Sequence, residues 1–336
     1  MRNMAVEYLR VVFISLIVLL HILWKDYGGL YGVEGNQSID AYVQLGLTNL
    51  VSLGVTGFIL ISGFYGVKLK LGRIYSLWMQ TIAYALLSSL LLKALHMGGG
   101  NLVKGFINAP LALFDGWWFV SDYLILMMLS PFLNQGIAVM DKKSLGFVIV
   151  LLSFFMYGAQ WFHAKDSSMP LLLFFNTYLI GRYIRLYPIK WLETSKCKIF
   201  VIGLLILISE PMMLHAFGLD SKLKFVGGNF NVLVLVVDVA LLLICNDCHK
   251  LGKGNLLTQN VLAVYLIHES GFGRKLLHDN IFFDGRPFNI GFIMLVVVVV
   301  VLVCVLIEEG RKRILGPIEK KSLSKLTAIL SINIDK

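Results

Sequence analysis

Apolar residues occur along this chain in about ten long runs that are separated by short polar segments. Val11–Leu20, Val232–Cys245 and Ile290–Ile307 are examples. About 20 mostly apolar residues cross the hydrocarbon core of a bilayer as an α-helix. The pattern therefore predicts an all-α integral membrane protein with about ten transmembrane helices in one bundle. The predicted helices cover residues 5–24, 44–65, 73–95, 117–136, 144–162, 169–187, 198–217, 229–246, 256–273 and 288–308.

The composition agrees with a membrane protein, because 57% of the 336 residues are hydrophobic and only 15% are charged. A soluble domain carries about 25% charged residues. The net charge of +10 comes from Lys and Arg residues between the apolar runs and not from a separate basic domain, so we expect no nucleic-acid partner. With the N-terminus inside, about two thirds of the 30 Lys and Arg fall in cytoplasmic segments, which predicts that both termini are cytoplasmic.

The charge pattern also suggests a division of the chain. We expect a transmembrane domain over residues 1–308 and a basic cytoplasmic tail over residues 309–336. Lys and Arg alternate with Leu and Ile in this tail, which is typical of a segment that lies on anionic membrane lipid.

Three residues of the first predicted helix could carry chemistry. Eleven residues at about 100° each make three turns plus about 20°, so Arg10 and His21 share one face, about 16 Å apart along the axis. Glu7 lies one turn before Arg10 and can pair with it. Ionisable side chains are costly in lipid, so this face is a candidate functional track. The structural alternatives are that Arg10 reaches out to the membrane surface and that His21 bonds a carbonyl within the bundle.

Six short sequence elements follow one another in an order that resembles the membrane acyltransferase-3 family. They are Glu7-x-x-Arg10-x10-His21, Ile61-Ser62-Gly63-Phe64, Lys70-Leu71-Gly72-Arg73, Trp117-Trp118-Phe119 with Tyr123 and Ser130-Pro131, Asn176-Thr177-Tyr178-Leu179-Ile180-Gly181, and Val264-Tyr265-Leu266-Ile267-His268. The sequence departs from that family's pattern at three places: Glu7 stands where Asp is commoner, Lys70 replaces an Arg, and Tyr75-Ser76 replaces Tyr-Pro. Lys cannot make the two-pronged phosphate contact of Arg, which weakens the case for Lys70.

The resemblance implies an activity and its substrates. Members of this family are O-acyltransferases of the bacterial inner membrane, so we expect an acetyl group to move from acetyl-CoA to a hydroxyl of a cell-surface polysaccharide or a lipid-linked oligosaccharide. The phosphates of the donor would be bound at the cytoplasmic side by Arg10, Lys70 and Arg73.

The resemblance also implies roles at the reacting end. The catalytic residues would be His21 and Glu7, with His21 acting as general base or, alternatively, becoming acylated itself. The candidate contacts to the oxyanion or the acceptor are Trp118, Tyr123, Asn176 and His268. The histidines show no paired metal-ligand spacing, so no metal is expected.

Two other functions remain open from the sequence alone. In a transporter or flippase for a lipid-linked or polyanionic substrate, Arg10 and His21 would form a relay, and the chain should contain inverted halves, which we do not find. A polysaccharide polymerase would carry large Arg-rich outer loops, whereas the loops here are short.

Overall fold

The structure of the protein is a computed structural model that describes residues 2–30, 32–98, 102–110, 117–162, 170–248, 250–282 and 286–329. Helices form most of it. The first half contains α1 (Met4–Asp26), α2 (Ile39–Val51), α3 (Leu53–Tyr65), α4 (Leu71–Ala94), α5 (Leu102–Asn108), α6 (Trp118–Val139), α7 (Lys142–Phe162) and α8 (Pro170–Leu186). The second half contains α9 (Lys190–Ala216), α10 (Leu223–Val226), α11 (Val232–Asp247), α12 (Leu256–Gln259), α13 (Val261–His268), α14 (Gly271–Lys275) and α15 (Ile290–Ile329).

Among the described residues, six helical segments are long and apolar enough to cross a membrane, judged by length and composition. They are Met4–Asp26, Ile39–Tyr65, Leu71–Ala94, Trp118–Val139, Lys190–Ala216 and Ile290–Ala328. The protein is thus an all-α membrane protein, as the hydrophobic pattern predicts. The figure of ten crossings stays a prediction.

Two of the predicted helices are interrupted in the structure. The segment 44–65 divides at Ser52 into α2 and α3, and α2 begins earlier, where the Ser38 hydroxyl accepts a hydrogen bond from the Ala41 amide at 3.2 Å. The segment 256–273 divides into α12, α13 and α14. Ser270 ends the apolar run because its hydroxyl caps α14, accepting from the Gly273 amide at 3.0 Å. The second break places His268 at the last position of α13.

The last predicted helix, 288–308, is much longer in the structure. Helix α15 continues through the proposed tail to Ile329, with Pro317 inside it, and residues 330–336 lie outside the described part. Polar contacts fasten this extension to the bundle: the Tyr75 and Ser322 hydroxyls are hydrogen-bonded, and Lys312 donates to the Asn260 side chain. The boundary proposed at residue 309 therefore falls within a continuous helix.

Helix α1 occupies the centre of the bundle, where it packs against α2, α3, α11, α12, α13 and α15. Helix α3 lies next to it and packs closely against α8, and two glycines permit the close approach of α3 and α8. A Cβ atom at Gly181 would lie 2.6 Å from the Leu60 carbonyl oxygen, and one at Gly63 would collide with the backbone of Tyr178. These glycines belong to two of the recognised sequence elements, so part of that pattern is explained by helix packing.

A short antiparallel pairing closes one end of the bundle. The strand β1 (Arg2–Asn3) pairs with β2 (Leu251–Gly252), and the Asn3 side-chain amide also donates to the Asn246 carbonyl at 3.0 Å. This pairing holds the start of α1 against the loop between α11 and α12. It brings Arg2 next to Lys253, a pair of cations that are distant in sequence.

Candidate active site

A cavity of about 790 Å³ lies along helix α1. Its size is typical of a small-molecule site. Four cations line it and define what we call the basic mouth: Arg2, Arg10, Lys253 and Lys312. Farther in, the wall becomes apolar and aromatic. This inner wall includes Ile14, Ile17, Phe58, Phe119, Tyr123, Val261, Leu262 and Tyr265.

The cavity follows one stripe of α1. Arg10, Ile14 and Ile17 line it, and His21 is the next position of the same stripe, at spacings of four, three and four residues. The cavity lining ends at Ile17, about 6 Å below His21 along the helix axis. The predicted arrangement of a cation low on the helix and an imidazole above it on a common face is therefore present.

The Arg10 end of the stripe is held by a buried carboxylate. Glu7, whose side chain is only 6% exposed, lies 3.2 Å from Arg10 Nη1 and 3.5 Å from Arg2. Glu7 thus bridges two cations of the basic mouth. It lies 14 residues from His21, about 21 Å along the helix, and does not contact that imidazole.

The other end of the stripe contains a pair of histidines. His21 Nδ1 lies 2.9 Å from His268 Nε2, and the two ring centroids are 5.1 Å apart. His268 Nδ1 lies 2.6 Å from the Val264 carbonyl oxygen. A carbonyl only accepts hydrogen bonds, so Nδ1 of His268 carries the proton and its Nε2 is an acceptor.

This chain of bonds fixes the tautomer of His21. If His268 Nε2 accepts, then His21 must donate its Nδ1 proton to it. In the neutral ring the lone pair is then on Nε2 of His21. The His21 side chain is 21% exposed, whereas His268 is buried. In this arrangement Nε2 of His21 can accept a proton, and His268 fixes the orientation of the ring.

A carboxylate and a guanidinium complete this end of the site. Glu269 Oε1 lies 3.0 Å from His21 Nδ1, and Glu269 Oε2 lies 3.1 Å from Arg274 Nε. Neither Glu269 nor Arg274 is among the site residues predicted from the sequence. The signal that could have found Glu269 is its position directly after His268, at the end of the Tyr-Leu-Ile-His element.

Aromatic side chains separate the cavity from the histidine pair. Tyr265 lies 6.0 Å from His268 and 5.7 Å from Phe119, measured between ring centroids. Phe119 in turn stacks parallel to Tyr123 at 6.4 Å. Of the residues predicted to contact the acceptor or the oxyanion, His268 touches His21 and Tyr123 lines the cavity.

The other predicted site residues lie elsewhere. Lys70 and Arg73 are exposed at the start of α4 and are not part of the cavity lining. Trp118 is 41% exposed at the start of α6, near Phe174. Asn176 is buried, and its side-chain amide donates to the Ser153 hydroxyl at 2.9 Å.

His21, His268 and Glu269 also form a group that could hold a cation. Each offers one ligand atom, and these atoms lie within 4.8 Å of one another. The spacing of these residues in the sequence did not predict this group, because His21 lies 247 positions before His268. Each is already engaged by the protein, however: His21 by His268, His268 by Val264, and Glu269 by Arg274.

A comparison with known protein families matches residues 3–309 to the family model described as an acyltransferase domain, the acyltransferase-3 model. The matched range contains Arg10 and Lys253 of the basic mouth, the whole stripe of α1 and the histidine pair. No curated protein and no solved structure matches the chain.

Proposed function

The chain belongs to the acyltransferase-3 family, and from this we propose that it is an O-acyltransferase that moves an acetyl group from acetyl-CoA to a hydroxyl of a cell-surface polysaccharide or a lipid-linked oligosaccharide. The observation that carries the proposal is the orientation of His21 by His268, about one helical turn beyond the last residue of α1 that lines a cavity with a basic mouth. A thin donor with phosphates at one end and a thioester at the other fits this polarity.

The basic mouth is the proposed site of the donor phosphates. Arg10 is held there by Glu7, and Arg2 and Lys253 lie beside it. Charge-assisted hydrogen bonds to phosphate are roughly twice as strong as neutral ones. We assign Glu7 to positioning Arg10, because it is too far from His21 to take part in the chemistry. Additional phosphate contacts by Lys70 and Arg73 stay a prediction.

The proposed reaction is a direct transfer with His21 as general base. His21 Nε2 takes the proton of the acceptor hydroxyl while the oxygen of that hydroxyl attacks the thioester carbonyl carbon. The tetrahedral intermediate then loses the C–S bond, and the thiolate of coenzyme A receives the proton from the imidazolium. General-base catalysis of this kind contributes about 10²–10⁴ in rate. Acylation of His21 itself is the alternative mechanism.

Neighbouring groups support the charged form of His21. As Nε2 gains a proton, the ring becomes an imidazolium that still donates from Nδ1 to His268, and the Glu269 carboxylate 3.0 Å away compensates its charge. Arg274 keeps Glu269 in place. Tyr123 is our candidate for the oxyanion donor among the predicted residues, because it lines the cavity.

The proposed topology has ten crossings in the bacterial inner membrane with both termini in the cytoplasm. It is supported by the basic mouth, since Arg2 and Lys312 line the same cavity. The start of α1 and the residues after the apolar part of α15 therefore lie at one end of the bundle. A cytoplasmic position of that end would give soluble acetyl-CoA direct access to it, and His21 would then lie toward the outer half of the membrane.

The test is transfer of label from acetyl-CoA to a glycan in membranes that contain the protein. His21→Ala is expected to abolish transfer, whereas His96→Ala, which removes an exposed histidine, is expected to leave it unchanged. Normal transfer by a folded His21→Ala protein would refute the catalytic assignment. Movement of an unmodified lipid-linked glycan across the membrane, without label transfer, would instead indicate the flippase in which Arg10 and His21 act as a relay.

A further inference from the structure

A second cavity of about 640 Å³ adjoins the main one. Gln259, Leu262 and Lys312 line both cavities, so the two share a wall. The second cavity lies between the start of α4, the helices α12 and α13, and the extension of α15 beyond the apolar run. The function proposed above leaves this space unused.

The charges around the second cavity leave two cations without a carboxylate partner. Glu308 and Glu319 line it, but both pair with Arg311, and the Tyr84 hydroxyl also donates to Glu308. Arg313 and Lys320 line the same space. Within the described part of the chain, no carboxylate lies at ion-pair distance from Arg313 or Lys320.

The wall of the second cavity is also suited to polar groups. Tyr75, Ser76, Gln80 and Asn260 contribute an aromatic ring, a hydroxyl and two amides. The Tyr75 ring is fixed by the hydrogen bond of its hydroxyl to Ser322. The Asn260 amide is bonded to Glu309 and Lys312, so the groups left for a ligand are the Ser76 hydroxyl and the Gln80 amide, which a nucleotide would use and an acyl chain would not.

We infer that the second cavity binds the nucleotide end of the acyl-CoA donor, with the ribose 3′-phosphate at Arg313 and Lys320. Coenzyme A carries its negative charges at two places, a diphosphate next to the pantetheine and a phosphate on the ribose. The basic mouth takes the diphosphate, and Lys312 stands where the two cavities meet. The extension of α15 is then the element that selects coenzyme A over shorter thioesters. This inference rests on the proposed donor.

The test compares binding of coenzyme A and 3′-dephospho-coenzyme A to the full chain in nanodiscs of zwitterionic lipid. The double variant Arg313→Ala/Lys320→Ala is expected to weaken binding of coenzyme A about tenfold. Its affinity for the dephospho form stays the same, so the preference for the 3′-phosphate is lost. Lys321→Ala is the matched control, because it removes the neighbouring cation that does not line the cavity.

Two results would overturn the inference. One is a double variant that keeps the full preference for the 3′-phosphate. The other is a double variant that binds coenzyme A like the unsubstituted protein but binds anionic lipid more weakly when that lipid is added to the nanodiscs. That result would assign Arg313 and Lys320 to a lipid headgroup. Binding is measured without turnover, so a protein that binds coenzyme A in this way but transfers no acetyl group would refute the proposed function and leave the nucleotide site intact.

Discussion

His21 and His268 meet at 2.9 Å although 247 residues separate them in the sequence. The contact joins the last third of α1 to the end of α13. His268 donates from Nδ1 to the Val264 carbonyl, so its Nε2 accepts the Nδ1 proton of His21. This contact orients the His21 ring and leaves its Nε2 free.

Substituting His268 tests this orienting role. His268→Ala is expected to lower kcat about ten- to hundredfold, because Nδ1 of His21 loses its His268 partner and keeps only the Glu269 carboxylate 3.0 Å away, so the ring can turn. The KM for acetyl-CoA should change little, since the basic mouth is unaffected. Steady-state kinetics on membranes, with a thermal unfolding measurement to verify folding, would decide. An unchanged kcat would mean that His21 does not depend on its partner.

Glu269 is expected to act on the charged form of His21. Glu269→Gln keeps the size of the side chain and removes its charge, so we expect kcat to fall about tenfold. Glu210→Gln is the control, because this half-buried acid of α9 is bonded to Asn231 and lies outside both cavities. Equal effects of the two substitutions on kcat would point to a general loss of stability.

Glu7 is expected to influence donor binding and not the chemical step. Glu7→Gln releases Arg10 and Arg2 from their shared carboxylate, so the KM for acetyl-CoA should rise about threefold to tenfold while kcat stays constant. Glu34→Gln, an exposed substitution in the loop before α2, is a suitable control. A fall in kcat with unchanged donor KM would instead indicate the catalytic role that the family resemblance implies for Glu7.

Removal of divalent cations is expected to leave transfer unchanged. The three groups that could hold a cation already have partners within the protein, and the proposed proton transfer needs the lone pair of His21. The measurement is activity before and after dialysis against a strong chelator. Loss of activity that is restored by added zinc would show that His21, His268 and Glu269 are ligands.

The sequence predicted the features that depend on local geometry. The stripe of Arg10 and His21 follows from helical periodicity over 11 residues, and Glu7 follows from the spacing of one turn. The Glu269–Arg274 pair was missed because it requires the break after α13, which a continuous apolar run does not reveal. Lys253 was missed as a member of the basic mouth because the pairing of β1 with β2 joins segments about 250 residues apart.

Through helix α15, the thickness of the bilayer is expected to influence the proposed coenzyme A site. It runs from Ile290 to Ile329 as one element that contains both the apolar run and the basic residues after it, so a tilt of its apolar part displaces Arg313 and Lys320 as well. A thicker hydrocarbon layer changes such a tilt at a cost of fractions of a kcal/mol per Å. Reconstitution in lipids of increasing chain length should therefore alter the affinity for coenzyme A without any change in the protein.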